Sequence, residues 1–163
     1  MPINPGNQDA QLYEALGLGF RVDRAAALLP QATTGGLFAI YGGKVLLTSI
    51  IGEVTVAIGT TNLNVVFTKT GGSEVAISAA TTCDADGVGT LYGITGVVVD
   101  VMSAQKVGGT EVPNVTLLNG IQVGGIVLPA GTIQLKASGS AAGQIKWQIH
   151  YIPLDDGATV AAA

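Results

Sequence analysis

Length, composition and charge bound the class of protein. The chain has 163 residues, which suits one domain, with 48% hydrophobic and only 11% charged residues and a formal net charge of −4. Such a chain is too apolar for intrinsic disorder, and none of its apolar runs reaches the ~18 residues of a membrane span. Its seven basic residues are scattered, which excludes nucleic acid and an anionic membrane as partners. So little charge predicts a surface largely covered by other subunits.

The first 36 residues differ in texture from the rest and are predicted to form an N-terminal arm. Residues 7–17 indicate one short helix, which begins at Asn7 or Asp9 and ends at Gly17. The large apolar side chains of the arm are too few to form a separate core. We therefore predict that the arm docks on another subunit, and the alternatives are a disordered tail and an arm folded over its own domain. The predicted interface residues are Leu12, Tyr13, Leu16, Phe20, Leu28 and Leu29.

From Leu37 onward the pattern is that of β-strands separated by glycine turns. A short strand ends at Gly42, and a long β-branched run follows, in which Gly52 predicts a bulge or a bend. Residues 62–70 and 74–81 are predicted to pair as a hairpin across two glycines. A glycine-rich and aspartate-rich loop follows Cys83.

The clearest strand lies near the end of the chain. Apolar residues alternate there with polar ones from Gln144 to Tyr151, which predicts one buried face that includes Trp147 and one polar face. Residues 132–137 are its predicted hairpin partner. About eight strands predict an all-β fold over residues 37–153, an antiparallel β-sandwich or jelly roll. Residues 154–163 are predicted to be a loose tail or to be tied to a neighbour.

No combination of residues predicts catalysis, and we predict no enzyme activity, no metal site and no cofactor. Asp84 and Asp86 resemble the start of a calcium loop, but the twelfth position is Thr95 instead of glutamate, so a turn is favoured and ion binding stays open. Cys83, the only cysteine, is interpreted as a small residue at a strand end. The single histidine, His150, lies on the polar face of its strand and is interpreted as exposed to solvent or to an interface.

Three stretches, at residues 21–55, 128–147 and 151–160, resemble small virion proteins of tailed bacteriophages. The resemblance implies a capsid decoration, or cement, protein that binds the assembled shell. It implies a β-sandwich or jelly roll, a homo-oligomer that is most simply a trimer, and the major capsid protein as partner. It also implies assembly in the bacterial host cytoplasm and a final location on the capsid surface of the virion.

Two further hypotheses stay open at the level of sequence. The protein could instead be a structural subunit of the phage tail, the baseplate or a head fibre. A carbohydrate-binding jelly-roll module is less favoured, because aromatic residues make up only 5% of the chain and sugars are usually bound on exposed aromatic side chains.

Overall fold

The protein is an antiparallel β-sandwich. In a computed structural model, the structure describes residues 19–94, 102–105 and 125–163, and this part of the chain contains no helix. The helix predicted at residues 7–17 lies outside the described residues. The strands are β1 Phe20–Leu28, β2 Thr34–Tyr41, β3 Val45–Val56, β4 Thr61–Lys69, β5 Glu74–Ala76, β6 Thr81–Cys83, β7 Leu91–Ile94, β8 Met102–Gln105, β9 Ile126–Leu128, β10 Gly131–Ala137, β11 Gln144–Pro153 and β12 Thr159–Ala162.

The strands form two six-stranded sheets. Sheet A has the order β1-β11-β3-β7-β8, with β9 also paired to β3, and sheet B has the order β12-β2-β10-β4-β5, with β6 also paired to β4. All pairs are antiparallel. The predicted all-β class is confirmed, as is the hairpin between β4 and β5, which pairs Thr68 with Glu74 across the two glycines.

The core lies between the two sheets and follows from the alternation of side chains along each strand. Ile145, Trp147 and Ile149 of β11 project inward from sheet A, and Phe38 of β2 and Ile133 of β10 project inward from sheet B. Each of these side chains is buried, as the period-2 pattern of β11 predicts. Fully burying one large apolar side chain contributes roughly 1.5–3 kcal/mol, so this layer supplies much of the stability.

Gly52 gives room for the indole ring of Trp147. The two residues are directly opposite each other in the β3–β11 pair. A Cβ atom added at Gly52 would lie 2.8 Å from ring atoms of Trp147. The register of β3 shifts elsewhere, between Leu47 and Ser49 and between Val54 and Val56. Of the bulge or bend predicted at Gly52, the bulge is therefore wrong, and the glycine instead leaves room for the ring, which packs on its backbone.

The predicted hairpin of residues 132–137 with β11 is also wrong. Strand β10 pairs with β2 and β4 in sheet B, whereas β11 pairs with β1 and β3 in sheet A. The segment between them, residues 138–143, crosses from one sheet to the other. It is held by main-chain hydrogen bonds such as Gly59 N–H to Ala142 O at 3.0 Å. Both strands have one apolar face, and these faces bury each other across the sandwich, which an alternation pattern cannot distinguish from pairing side by side.

The predicted domain limits of 37 and 153 are too narrow. Residues 20–28, assigned to the arm, form β1 and pair with β11, and residues 159–162, assigned to the tail, form β12 and pair with β2. Each strand adds apolar groups to the core. Val22 packs against it from β1, and Val160 is buried opposite Ile40.

The two ends of the chain together form one half of the sandwich. We call β1, β11 and β3 of sheet A with β12, β2 and β10 of sheet B the terminal half, and the remaining strands, β4 to β9, the middle half. The edge strands β1 and β12 lie on the same side of the molecule, because Arg24 Nε of β1 donates a hydrogen bond to the main-chain oxygen of Ala163 at 3.1 Å.

Candidate functional site

Three of the six predicted interface residues, Phe20, Leu28 and Leu29, lie within the described residues. Leu12, Tyr13 and Leu16 lie outside the described residues. Leu29 is only 3% exposed and belongs to the core, so its assignment to an intermolecular interface is wrong. Its position just after β1, with its N–H bonded to Gly143 O at 3.2 Å, directs the side chain between the sheets.

The other two predicted interface residues keep exposed apolar surface on β1. Phe20 is 39% exposed, and its ring centroid lies 5.8 Å from that of Tyr151 on the neighbouring strand. Leu28 is 73% exposed and lines a cleft of about 110 Å³ between the sheets, which also borders Trp147 and Arg24. Only Leu28 therefore presents most of its side chain to a partner.

Asp84 and Asp86 have separate environments and do not share a site. Asp84 is exposed and accepts a hydrogen bond from Thr60 Oγ1 at 2.8 Å. Asp86 is 2% exposed and accepts a hydrogen bond from the hydroxyl of Tyr92. Within residues 19–94, 102–105 and 125–163, no group of three potential metal ligands comes together. The loop is thus built with one aspartate facing solvent and the other fixed in the interior.

The buried polar cluster of Cys83, Asp86 and Tyr92 lies in the middle half. The hydroxyl of Tyr92 lies 3.2 Å from Cys83 Sγ and also donates to Asp86. Burial, together with the hydrogen bond to Asp86, raises the pKa of Tyr92, and burial also raises the pKa of the Cys83 thiol. A buried thiol with a raised pKa is a poor nucleophile, so the cluster is suited to fixing the loop and not to reaction.

His150 is the clearest difference from the polar face predicted for β11. It lies on the outer side of sheet A opposite Ser49 and Arg21, but is only 9% exposed. Its Nδ1 lies 2.9 Å from Ser49 Oγ. Burial and then the charge of Arg21 lower its pKa, and Asp23 opposes them. Exposure of His150 to solvent is therefore wrong, and its position at an interface stays a prediction.

A groove of about 520 Å³ crosses the outer face of sheet A, and Arg21, which is opposite His150, lines it. Two ion pairs line it, Arg21 with Asp23 and Lys146 with Glu53, each at 2.8 Å, and Ile51 is part of its lining. Arg24 lines the groove as well, so the lining carries three basic and two acidic side chains. The two ion pairs satisfy four of these five charges, so little charge is left to attract a strongly charged ligand.

The edge of sheet B at β12 presents backbone groups that are not used within the sheet. In the described part of the chain β12 pairs only with β2, through a register that is unbroken from Thr159 to Ala162. Its residues Thr159, Ala161 and Ala162 are exposed. An open strand edge can pair with another strand, which makes β12 a candidate interaction site.

Comparisons with known proteins give little further information. No family model and no curated protein matches the sequence. The chain is similar to one in the structure of infectious bursal disease virus Gx strain, with 12% identity and a TM-score of 0.22. The match covers 87% of this chain and 33% of that chain, so this protein spans about a third of the other. A TM-score this low establishes neither a shared fold nor a shared function. Within residues 19–94, 102–105 and 125–163 there is no helix that could cross a membrane.

Sequence reasoning missed the buried cluster and the open edge for different reasons. The DADG segment indicates a turn, but nothing local shows that Asp86 faces inward to reach Tyr92. The edge at β12 follows from sheet order, which a sequence pattern does not specify. A signal for β12 was present in Thr159 and Val160, which are of types enriched in strands, but the segment is short and its alanines have low β-propensity.

Proposed function

We propose that this protein is a structural component of a tailed-bacteriophage virion, and that it binds the assembled capsid as a decoration or cement protein. The partners in this proposal are the major capsid protein and further copies of the chain, most simply arranged as a trimer. The proposal includes no enzyme activity and no cofactor.

One observation carries the proposal. The three stretches that resemble phage virion proteins are separated in sequence by as many as about 70 residues, yet they come together in the fold. They supply β1, β2 and most of β3, then β10 and the first part of β11, and finally the end of β11 with the start of β12. These are the strands of the terminal half, so the resemblance falls on one contiguous structural unit.

The surface of the molecule supports association with other proteins. Large apolar side chains are exposed on both halves, and the chain has few charges to separate them. A single exposed apolar residue is ordinary, but a surface that is both apolar and weakly charged favours burial against a partner. The exposed residues are Phe20, Leu28, Tyr41, Val56, Val75, Val88, Val127 and Leu154.

The proposed mechanism is stabilisation by mass action. A protein that binds the assembled shell and not the free capsid subunits stabilises the shell by RT ln(1 + [L]/Kd), about 2.7 kcal/mol per site at a 100-fold excess over Kd. An oligomer bound through several sites would gain avidity without new kinds of contact. No catalytic group is required for this effect.

The experiment compares phage particles with and without the protein. Particles that lack it should release their DNA at a lower temperature, and adding the purified protein back should restore the original release temperature. Equal heat resistance with and without the protein would contradict cementing. Detection of the protein in the tail or baseplate would instead favour a tail subunit.

A truncation separates the arm from the domain. Residues 1–18 lie before β1, so their deletion leaves every described strand in the chain. If the arm docks on the lattice, the truncated protein should remain folded and bind particles more weakly than the full chain. Unchanged affinity would contradict a docking role for residues 1–18.

A further inference from the structure

The open edge of β12 presents two pairs of backbone groups in a defined pattern. Thr159, Val160, Ala161 and Ala162 are opposite Tyr41, Ile40, Ala39 and Phe38 of β2. The N–H of Ala163 donates to Leu37 O at 3.0 Å, which continues this register. Antiparallel residues alternate between hydrogen-bonded and non-hydrogen-bonded positions. Ala161 is therefore bonded to β2, whereas the N–H and C=O groups of Val160 and Ala162 face away from it.

Strand β12 is short, at four residues, but its own sequence and register do not otherwise prevent pairing at this edge. Its sequence from Thr159 to Ala162 contains no charge and no proline, and its register has no bulge. The other edge on this side, β1, carries Arg21, Asp23 and Arg24 and has a register shift just after Arg24. Of these two edges, only β12 offers a further strand an uncharged partner with an unbroken register.

A second β12 fits this edge because the pattern is self-complementary. In a two-fold antiparallel arrangement centred on Ala161, Val160 is opposite Ala162 of the second copy, and Ala162 is opposite its Val160. Each such pair can exchange both N–H···O=C bonds, which gives four hydrogen bonds. Ala161 then meets its own equivalent, with only methyl groups in contact, and no like charges from β12 are brought together.

We propose that two copies of this chain associate through antiparallel pairing of their β12 strands, which joins their B sheets into one continuous sheet. The proposal rests on the self-association proposed above, but not on a location in a virion. The contact is two-fold, so it would link copies that belong to different trimers if a three-fold contact forms elsewhere on the surface.

Disulfide trapping tests the register directly. In the proposed pair the two Ala161 Cα atoms occupy a non-hydrogen-bonded position, about 4.5 Å apart, within the range that a disulfide spans. Under oxidised glutathione, A161C should form a covalent dimer in high yield. The native Cys83 is fully buried, so the wild-type chain should not form one under the same conditions.

A163C is the matched control, because Ala163 directly follows β12, continues its register and lies on the same face as Ala161. In the proposed register residue 163 is opposite Thr159 of the second copy, and the two Ala163 positions are about 14 Å apart, too far for a disulfide. A163C alone should stay monomeric on denaturing gels, whereas the double variant T159C/A163C should cross-link. Absence of the A161C dimer, or equal cross-linking of A163C, would overturn the proposal.

The mass in solution gives a second, independent test. A161K places two ammonium groups opposite each other and should halve the sedimentation mass of the purified protein at about 100 μM. A76K makes the same change on β5, at the opposite edge of sheet B, and should leave the mass unchanged. A monomeric wild-type protein, or a mass that A161K does not change, would contradict the β12 contact. Capsid binding is not needed in either test, so these results are separate from those on virion location.

Discussion

The terminal and middle halves of the sandwich are built differently, although they share one core. Among the described residues, five of the six strands of the terminal half have seven to twelve residues, whereas β5, β6 and β9 of the middle half have three residues each. The terminal half is held by long ladders and by apolar contacts such as Trp147 on Gly52. The middle half adds a buried polar cluster around Asp86.

This difference indicates a division of roles within one fold. Long regular ladders distribute stability over many backbone hydrogen bonds and apolar contacts, so they tolerate the loss of single polar contacts. Short strands gain less from such ladders, and a loop between them needs specific side-chain bonds to hold one conformation. We therefore expect the terminal half to depend on packing and on β1, and the middle half to depend on single polar contacts.

The largest effect should come from removing β1. Deletion of residues 1–30 takes away the strand that pairs with β11 and also removes the core residue Leu29. We expect loss of cooperative thermal unfolding, whereas deletion of residues 1–18 should preserve it. Circular dichroism melting curves of the two truncations make the comparison. A cooperative transition in the protein that lacks residues 1–30 would show that the terminal half folds without β1.

The next effect should come from the core of the terminal half. Replacing Trp147 with alanine leaves a cavity over Gly52 and should lower the free energy of unfolding by about 3–5 kcal/mol. Replacing Gly52 with alanine should cost about 1–3 kcal/mol, because its Cβ would overlap the indole ring. Urea denaturation measures both changes. When Trp147 is already alanine, replacing Gly52 with alanine should lower the free energy of unfolding by less than it does in the wild type. An equal loss in both backgrounds would contradict the close packing of the ring on Gly52.

The middle half should respond to the loss of one hydroxyl group. Replacing Tyr92 with phenylalanine removes the donor to the buried Asp86 carboxylate and should lower the free energy of unfolding by about 1–3 kcal/mol. The same substitution at Tyr41, whose side chain is exposed, is the control and should change stability by less than about 0.5 kcal/mol. Equal effects at the two positions would show that the cluster does not hold the loop.

The smallest effect concerns His150 and pH. The pKa of His150 is lowered in the folded state. At pH values below its ordinary pKa of about 6.5, the unfolded chain is therefore protonated to a greater extent than the folded protein. The contribution of His150 to stability is therefore complete above pH ~6.5 and decreases as the pH falls from there towards its folded-state pKa. Urea midpoints at pH 7.5 and 5.5 should differ more for the wild type than for H150Q. If the midpoints of the wild type and of H150Q differ equally between the two pH values, folding does not change the pKa of His150.

The sequence predicted the elements of the fold better than their connections. Alternation along β11 correctly placed Trp147 in the core, and the two glycines after β4 correctly predicted the hairpin. The same alternation failed to say that β10 packs across from β11 instead of beside it, because sheet membership depends on contacts distant in sequence. Strands β1 and β12 were assigned to an arm and a tail because these segments contain few large apolar side chains. Hydrogen bonding to β11 and β2 stabilises the two strands instead.

The candidate sites were less predictable than the fold. A single histidine on a polar strand face gives no sign that it will be covered, and the burial of His150 depends on how the outer face of sheet A is packed. Asp84 and Asp86 lie two residues apart in the same loop, yet only Asp86 reaches the interior, where Tyr92 of the following strand donates a hydrogen bond to it. Residues Leu12, Tyr13 and Leu16 stay predicted interface residues, and the truncation of residues 1–18 tests them.

The central proposal, binding to an assembled capsid, is tested most directly by cryo-electron microscopy of the phage particles. We expect density for the β-sandwich on the outer surface of the shell, repeated with the symmetry of the lattice, and loss of that density when the gene for this chain is deleted. Density confined to the tail or baseplate, or particles from which the protein is absent, would contradict it.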